Sequence, residues 1–559
     1  EAVAGFSQAD LDNCVRILGI MKDNDELYNS PPLRPLRLAL TPLVELQRGK
    51  FFRGMTEGEW SRRQAIKREK RAQAMRLAKA DKEKVNQRAL RKKRLEAMCN
   101  QGKGEEPLLL IPDGTVLDHE ATDGTAAVAI AAAATASDDE DADNPSVLRT
   151  KLRSCYTCKS RFHVLHSFYD QLCPECAELN WTKRHQTADL KGMVAIVTGA
   201  RVKIGYRITL KLLRCGATVM ATTRFPHDAA ARYVKEEDFG EWSDRLHIIG
   251  LDLRDNSAIE GFLELVQSKY DRLDIIINNA CQTIRRPPAY YAHMIEHERK
   301  PVEALGDKAS TILRTEQTMP PPPAPAPAPV AAAMAAAPAV AAGAGLPLSS
   351  AEASQVALIP EDHITDKALF PSATDINNQQ IDLRKRNSWV MRMHEISTPE
   401  LAEVFAINAL APFIINSRLK HMMTSPFTVD GVEVFRDAFI VNVSAMEGKF
   451  YRYKSPNHPH TNMAKAALNM MTRTSAEDYS KARIFMTAVD TGWINDENPL
   501  EKASRIATKN NFQTPLDEED AAARVLDPVL HPVSESQKTG TRVVPPFGKF
   551  LKDYHPTEW

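Results

Sequence analysis

Four cysteines fall in one short stretch, CYTCKSRFHVLHSFYDQLCPEC, as two Cys-x-x-Cys pairs: Cys155 with Cys158 and Cys173 with Cys176. Each pair can form a knuckle that offers two thiolates to one point, so the two pairs together can close a tetrahedral zinc site. Four sulfurs complete the shell and leave no open position. The expected zinc is therefore structural, standing in for a core that so short a segment cannot build. Two incidental or redox pairs are the rival reading, and a second pair so close by speaks against it. His163 and His166 lie inside the loop as alternative ligands that four cysteines make unnecessary. Trp181 and the basic run Lys183-Arg184-His185 follow directly. They suit either docking on the next domain or a basic edge.

A second chemical pattern lies in NHPHTNMAKAALNMMT, where Thr461 precedes Lys465 by one helical turn. Residues at i and i+4 share a helix face, so the ammonium sits beside the hydroxyl. A phenol titrates near ~10 and a neighbouring cation can tune it downward. An aliphatic hydroxyl resembles water, near ~15.7, and stays out of reach of neutral pH. Thr461 is thus a hydrogen-bond donor and a poor general acid; Thr461 or Asn462 also reads as a helix N-cap. Other proton sources lie close in sequence. They are Tyr451 and Tyr453 in GKFYRYK, with packing on the loop as the rival role, and His458 or His460. A third pattern is the turn Thr198-Gly199-Ala200-Arg201-Val202-Lys203-Ile204-Gly205, between an apolar strand and a helix. Such a turn lets backbone N–H groups and a helix N-terminus approach a pyrophosphate.

The elements that must position these groups are legible from residue 190 onward. MVAIVTGA, ATVMATTR, LHIIGLDL, LDIIINNA, AFIVNVSA and RIFMTAVDTG are β-rich apolar runs separated by helical patterns. That alternation implies an α/β domain with a parallel sheet covered on both faces. It spans 190–295 and 384–545 and is interrupted by a Pro/Ala-rich insertion, 296–383. A tail, 546–559, follows. In front stand a helical region, 1–98, an acidic and Ala-rich linker, 99–150, and the zinc-binding module, 151–185. At 559 residues two or more domains are expected. The helical region ends in a run from Glu59 to Glu96, rich in Ala, Lys, Arg and Gln, which predicts a long solvated helix. Its basic face, residues 60–96, fits nucleic acid or an acidic protein, against the plainer reading of an exposed charged helix. Trp60 is its lone aromatic, which is no stacking array. Lys+Arg and Asp+Glu are equal at 72 each, so whole-chain charge selects no partner. The eight cysteines suggest no disulfide scaffold and fit an intracellular, reducing compartment, the cytoplasm before an organelle. No apolar run reaches the roughly 18–20 residues needed to cross a bilayer.

After the glycine turn come LDLRD with Asp252 and Leu253, IINNA with Asn279 and Ala280, INALAPF with Asn408, Ser444 at a strand end, Lys465 in its helix and VDTGW. In this order the set resembles the short-chain dehydrogenase/reductase family, over a little under half of the chain. The resemblance implies a doubly wound Rossmann domain that binds NAD(P) and transfers hydride to or from a carbonyl or alcohol. It also implies roles: Asp252 flanking the adenine, Asn279 and Ala280 lining the cofactor, Asn408 supporting a proton-relay water, Ser444 orienting substrate oxygen and Lys465 holding the nicotinamide ribose. Oligomers through the helices after Asn408 and Ser444 would fit the family as well. Three positions depart from the pattern: Thr461 stands for the catalytic tyrosine, Lys203 for a turn glycine and Cys281 for the glycine after NNA. Where an acid would bind the ribose of NAD, the second strand ends in Arg224, and Arg201 sits in the turn; both favour NADP over NAD. A cofactor-binding scaffold without hydride transfer, and an adaptor using the zinc module and basic helix, are the two other readings.

Overall fold

The computed structural model describes residues 5, 7–22, 24–51, 55–101, 147–148, 150, 152–314, 349–366, 368–371, 380–429, 432–434, 436–450, 453–495, 497–503, 505 and 513–559. The linker expected at 102–146, the low-complexity centre of the insertion and Tyr451 lie outside these residues. The described residues divide into two compact units, one up to residue 83 and the other from residue 84 onward. In the first, helices Gln8–Lys22 and Arg34–Phe51 leave Leu11, Val15, Leu38, Leu43 and Leu46 exposed.

The basic run is not one helix. It breaks into Glu57–Asn86 and Ala89–Gln101. Within the second unit, residues of the shorter helix turn inward. Arg91 pairs with Asp170 at 3.3 Å, and Arg94 donates to the Thr514 and Leu516 carbonyls. Those two cations are used structurally, which removes them from any exposed basic face.

The second unit is built on a sheet of nine described strands. In chain order they are β1 Val194–Thr198, β2 Thr218–Thr223, β3 Leu246–Gly250, β4 Ile275–Asn278, β5 Leu313–Arg314, β6 Ala438–Ser444, β7 Ile484–Asp490, β8 Phe550–Lys552 and β9 His555–Thr557. Their spatial order is β9-β8-β7-β6-β4-β1-β2-β3-β5. All neighbours are parallel except the β8–β9 pair. Strands β6 and β7 are buried at every position, as near-continuous apolar runs in a two-faced sheet require. On one face, helices α1 Lys203–Arg214 and α5 Glu518–Thr539 bury Ile208, Leu212, Val525 and Val529. On the other, α2 Asn256–Lys269, α3 Thr398–Arg418 and α4 Pro459–Lys481 bury Ile259, Phe262, Ile415 and Ala476. Helix α3 is long and apolar enough to cross a membrane, but Ile407, Ala411 and Ile415 pack it into this core. The architecture is the doubly wound α/β fold expected for residues 190–545.

Two stretches outside those bounds belong to the same sheet. Leu313 and Arg314, inside the span read as an insertion, form edge strand β5 beside β3. The C-terminal residues supply β8 and β9. Runs of two or three residues carry too little periodicity to announce a strand; pairing with an existing edge makes them one. Residues 349–366 also fold onto the domain, where Ser350 donates to the Arg224 carbonyl at 3.0 Å and Asp362 pairs with Arg285.

Candidate cofactor cavity and cysteine cluster

The chain order of the strands runs outward from β1 in both directions: β2 and β3 lie on one side, β4 and β6 on the other. Over that reversal, at the C-terminal strand ends, lies a cavity of about 660 Å³. Ligands of open α/β sheets bind in this crevice. It is lined by Gly199, Arg201, Lys203, Ile204, Gly205, Arg224, Asp252, Leu253, Asn279, Ala280, Ser444, Thr461 and Lys465, thirteen of the positions singled out from sequence.

The glycine turn is held by the end of β4. Thr198 Oγ1 accepts the N–H groups of Asn279 and Ala280 at 3.0 Å each, and Asn279 Nδ2 donates to the Thr198 and Gly199 carbonyls. A β-carbon on Gly205 would lie 2.2 Å from the Gly199 carbonyl oxygen, so no side chain fits there. Lys203, in the place of a turn glycine, keeps the glycine-like backbone at φ 52°. The turn's shape thus survives the substitution, and an ammonium is added at the N-terminus of α1, where an anion is favoured.

Beyond the turn the cavity is cationic. Arg201 pairs with Asp228 at 2.7 Å, but among the described residues no carboxylate pairs with Arg224. The Arg224 guanidinium lies over the Phe225 and Tyr291 rings and donates to the Tyr291 hydroxyl at 3.3 Å. Burial alone would raise the Tyr291 phenol; the Arg224 and Arg286 charges outweigh it and hold the group below its ordinary value. Asp252 is buried and bidentate to Arg254, with a closest approach of 2.7 Å. Burial pushes its carboxyl up, but Arg254 prevails and keeps it low, so it stands ionised and paired.

The far end of the cavity is set by α4. Thr461 and Lys465 both face in from its first two turns and are buried. Lys465 Nζ donates to the Val443 carbonyl at 2.7 Å. Among the described residues the Thr461 hydroxyl has no hydrogen-bond partner. Its expected capping role is not realised: the helix starts at Pro459 after His458 at φ 41°, which puts Thr461 and Asn462 inside the first turn. The His458 ring instead stacks on Trp389, with centroids 3.9 Å apart, and contacts its carbonyl at 2.7 Å.

The remaining candidates are dispersed. Ser444 ends β6, and its hydroxyl donates to Asn469 Oδ1 on α4 at 2.6 Å, so its proton is committed to the helix. Asn408 lies in a π-helical turn, Ala406–Leu410, within α3. Its amide bonds the backbone of Gln282 at both ends, 3.1 and 3.2 Å, bracing the loop after β4. Tyr453 is 93% exposed and is not part of the cavity wall. His460 is buried, lies 3.8 Å from Glu400, and among the described residues neither ring nitrogen is hydrogen-bonded. Burial, then its neighbour His458, push its pKa down to about 4. Cys281 is exposed at the cavity wall. Sequence reasoning missed Tyr290, Tyr291, Trp389 and Tyr156, which line the cavity together with Thr491 and Trp493 of the VDTGW motif. Arg224 beside a later aromatic pair carried no spacing signal.

The four cysteines converge. All four sulfurs lie within 4.8 Å of one another, and the Cys158 and Cys173 sulfurs are 3.6 Å apart. Tetrahedral zinc–thiolate bonds of ~2.3 Å place sulfurs about 3.8 Å apart, so the donor set fits that ion. Cys155 and Cys158 come from the turn between paired strands Arg153–Ser154 and Arg161–Phe162. Cys173 caps helix Pro174–His185, and Cys176 is in its first turn. The Ser160 hydroxyl and backbone N–H draw the Cys158 thiol down to about 6. His166 accepts the Phe168 and Tyr169 N–H groups, so its Nδ1 is committed away from the sulfurs. The basic run after the module points inward: Lys183 pairs with Asp527, and Arg184 with Asp517 and Asp520, on α5 and its cap.

Fold and cavity together define a Rossmann-like α/β domain with a crevice at the strand reversal. Residues 193–297 match the family model described as short chain dehydrogenase, which supports that family for this domain. Uncharacterized protein R665 of Acanthamoeba polyphaga mimivirus is 29% identical over 399 residues, 69% of this chain and 73% of that one. NADP-dependent 3-hydroxy acid dehydrogenase YdfG of Shigella flexneri is 32% identical over 106 residues, 19% of this chain and 40% of that protein. Among solved structures, an angucycline C-6 ketoreductase, LanV, with bound NADP is 18% identical, covering 66% of this chain and 96% of that one at a TM-score of 0.36.

Proposed function

We propose that residues 190–559 form an NADP-dependent oxidoreductase domain of the short-chain type, moving hydride to or from a carbonyl or alcohol. The observation that carries this reading is one cavity, across the strand reversal, shared by the glycine turn and by the Thr461–Lys465 face. A dinucleotide spans such a crevice with its pyrophosphate at the helix N-terminus. NADP is favoured over NAD because Arg224, free of any carboxylate partner among the described residues, stands at the end of the second strand. The name of the Shigella flexneri relative points the same way. When bound, the nicotinamide supplies the hydride. The chain's part is to hold it: Lys203 and the α1 N-terminus at the pyrophosphate, Arg224 at the 2′-phosphate, Lys465 at the far ribose and Thr461 as a hydrogen-bond donor to a reacting oxygen.

A second reading, a nucleotide-binding protein without hydride transfer, is favoured by the proton donors. Thr461 is aliphatic, Ser444 is committed to Asn469, Tyr453 is in solvent and His460 is neutral at pH 7 outside the wall. Purified protein titrated with NADPH and NADH, then scanned for absorbance loss at 340 nm over a carbonyl panel, separates the readings. Tight NADPH binding with turnover supports the first, binding without turnover the second, and no binding sinks both.

The cysteine cluster is proposed to hold one structural zinc, supported by the approach of its sulfurs. A reducing, intracellular compartment is proposed on the cysteine pattern, which suggests no disulfide scaffold. Exposed Leu410, Phe413, Met463 and Met470 on α3 and α4 support a homo-oligomer through those helices, which light scattering would read as a doubled mass.

A further inference from the structure

One side chain of the cysteine module is part of the cavity wall. Tyr156 stands between Cys155 and Cys158, yet it lines the same cavity as Lys465 and Thr461. Its Oη accepts the Trp493 N–H at 2.9 Å. A β-carbon added to Gly492, at φ 78°, would lie 3.6 Å from that oxygen, so the phenol lies against the backbone that leaves β7. Among the described residues no acceptor takes the phenol's own proton.

The contacts around it form a chain from the sulfurs to the cavity. The knuckle holds Tyr156 through its Cys155 N–H on the Ser160 carbonyl and the Tyr156 N–H on the Gln171 carbonyl. On the sheet side, Asp490 binds both loops at the far end of the cavity. Its Oδ1 accepts the Gly492 N–H, and its Oδ2 the Met446 N–H, at 2.9 Å each. Lys552 Nζ approaches Asp490 at 3.3 Å and the Tyr156 ring at 5.6 Å. Asp490 is the register partner of Ser444. The backbone that Tyr156 anchors is therefore one strand away from the loop beside Ala445 and Lys465. The adenosine half, by contrast, falls at Arg224 on the other side of the strand reversal.

We propose that Tyr156 is a positioning residue. The knuckle, closed on its ion, fixes residues 491–494 where the nicotinamide half of the cofactor lies and leaves the adenosine half untouched. Ion binding at the cysteines and nicotinamide nucleotide binding are then linked, and each tightens the other by the same factor. This rests on the reading that the cavity takes NADP.

Tyr156→Phe keeps the ring and removes the acceptor of the Trp493 N–H. Wild type and variant, each checked for one zinc per chain, are titrated with NADPH and with adenosine 2′,5′-bisphosphate, which lacks the nicotinamide. Loss of one net hydrogen bond weakens NADPH about three- to tenfold, with a smaller shift in bound nicotinamide fluorescence, and leaves the bisphosphate unchanged. Equal NADPH affinity in the two proteins, or equal weakening of both ligands, overturns the proposal. Zinc affinity, measured at equilibrium against a competing chromogenic chelator, is the second readout. Saturating NADPH raises it in wild type and less so in the variant; an unchanged wild-type affinity overturns the linkage. If wild type binds neither nucleotide, the cavity reading itself falls and this proposal with it. Binding with no effect of the variant defeats this proposal alone.

Discussion

At the scale of single residues, the cavity is defined by charges and hydroxyls whose partners decide their use. Arg224 is available where Arg201 is partly neutralised by Asp228. Arg224→Glu reverses that charge, and a charge-assisted hydrogen bond is worth about 1.5–3 kcal/mol. NADPH affinity should fall roughly 10–100-fold in calorimetric titration, with NADH affected far less. His460 gives a pH prediction. Its ordinary value, 6.5, is depressed to about 4 by burial and His458. Between those values the unfolded chain binds a proton that the folded chain refuses, so stability is full above 6.5 and is lost as pH falls toward 4. The loss is on the order of 2 kcal/mol. Denaturant midpoints at pH 7.5 and 4.5 should diverge in wild type, and diverge less in His460→Phe.

At the scale of elements, α4 is placed by a buried amide network. Asn278 on β4 donates to Asn416 on α3 and Asn442 on β6, at 2.9 and 2.8 Å, and Asn442 donates to Thr472 on α4 at 2.9 Å. Gly448 lets the loop after β6 approach the helix, since a β-carbon there would meet the Lys465 backbone at 2.8 Å. These contacts aim the Thr461–Lys465 face. The turn before α1 shows the reverse trade. Lys203 holds a left-handed backbone that costs an L-residue about 1–2 kcal/mol, partly offset by the greater unfolded freedom of glycine. Lys203→Gly should raise thermal stability by up to about 1 kcal/mol while weakening NADPH binding severalfold. A melting curve and a titration on the same sample check both signs.

At the scale of the whole second unit, the cysteine module is bound to the sheet domain by Tyr169 on Asp520, Arg184 on Asp517 and Arg524 on Asn180. These groups are buried, and removing one partner strands the other. On the proposed zinc reading, loss of the metal would remove the cross-link that orders Tyr169 and Arg184. Cys158→Ser should reduce bound zinc below one per chain by elemental analysis. It should also cost several kcal/mol of stability, since binding free energy at a structural zinc site of ~10–16 kcal/mol is spent on folding. Full zinc content with an unchanged melting temperature would defeat that reading.

The sequence by itself determined the sheet, the glycine turn and the four sulfurs. Near-continuous apolar runs, a strand-to-helix glycine turn and Cys-x-x-Cys spacing are local signals, complete within a few residues. It also set Thr461 one helical turn before Lys465, where the short-chain resemblance expects a phenol. Tertiary structure decided what those residues face. It turned Ser444 into α4, set Asn408 to brace a loop, left Tyr453 in solvent and buried His460 without a hydrogen-bond partner. It also joined short edge strands from the insertion and the C-terminus, and brought Tyr156 to a cavity whose walls run from Gly199 to Asn498. Direction and partnership depend on packing between distant segments, and no spacing along one chain encodes which phenol reaches a site built from the far end of a sheet.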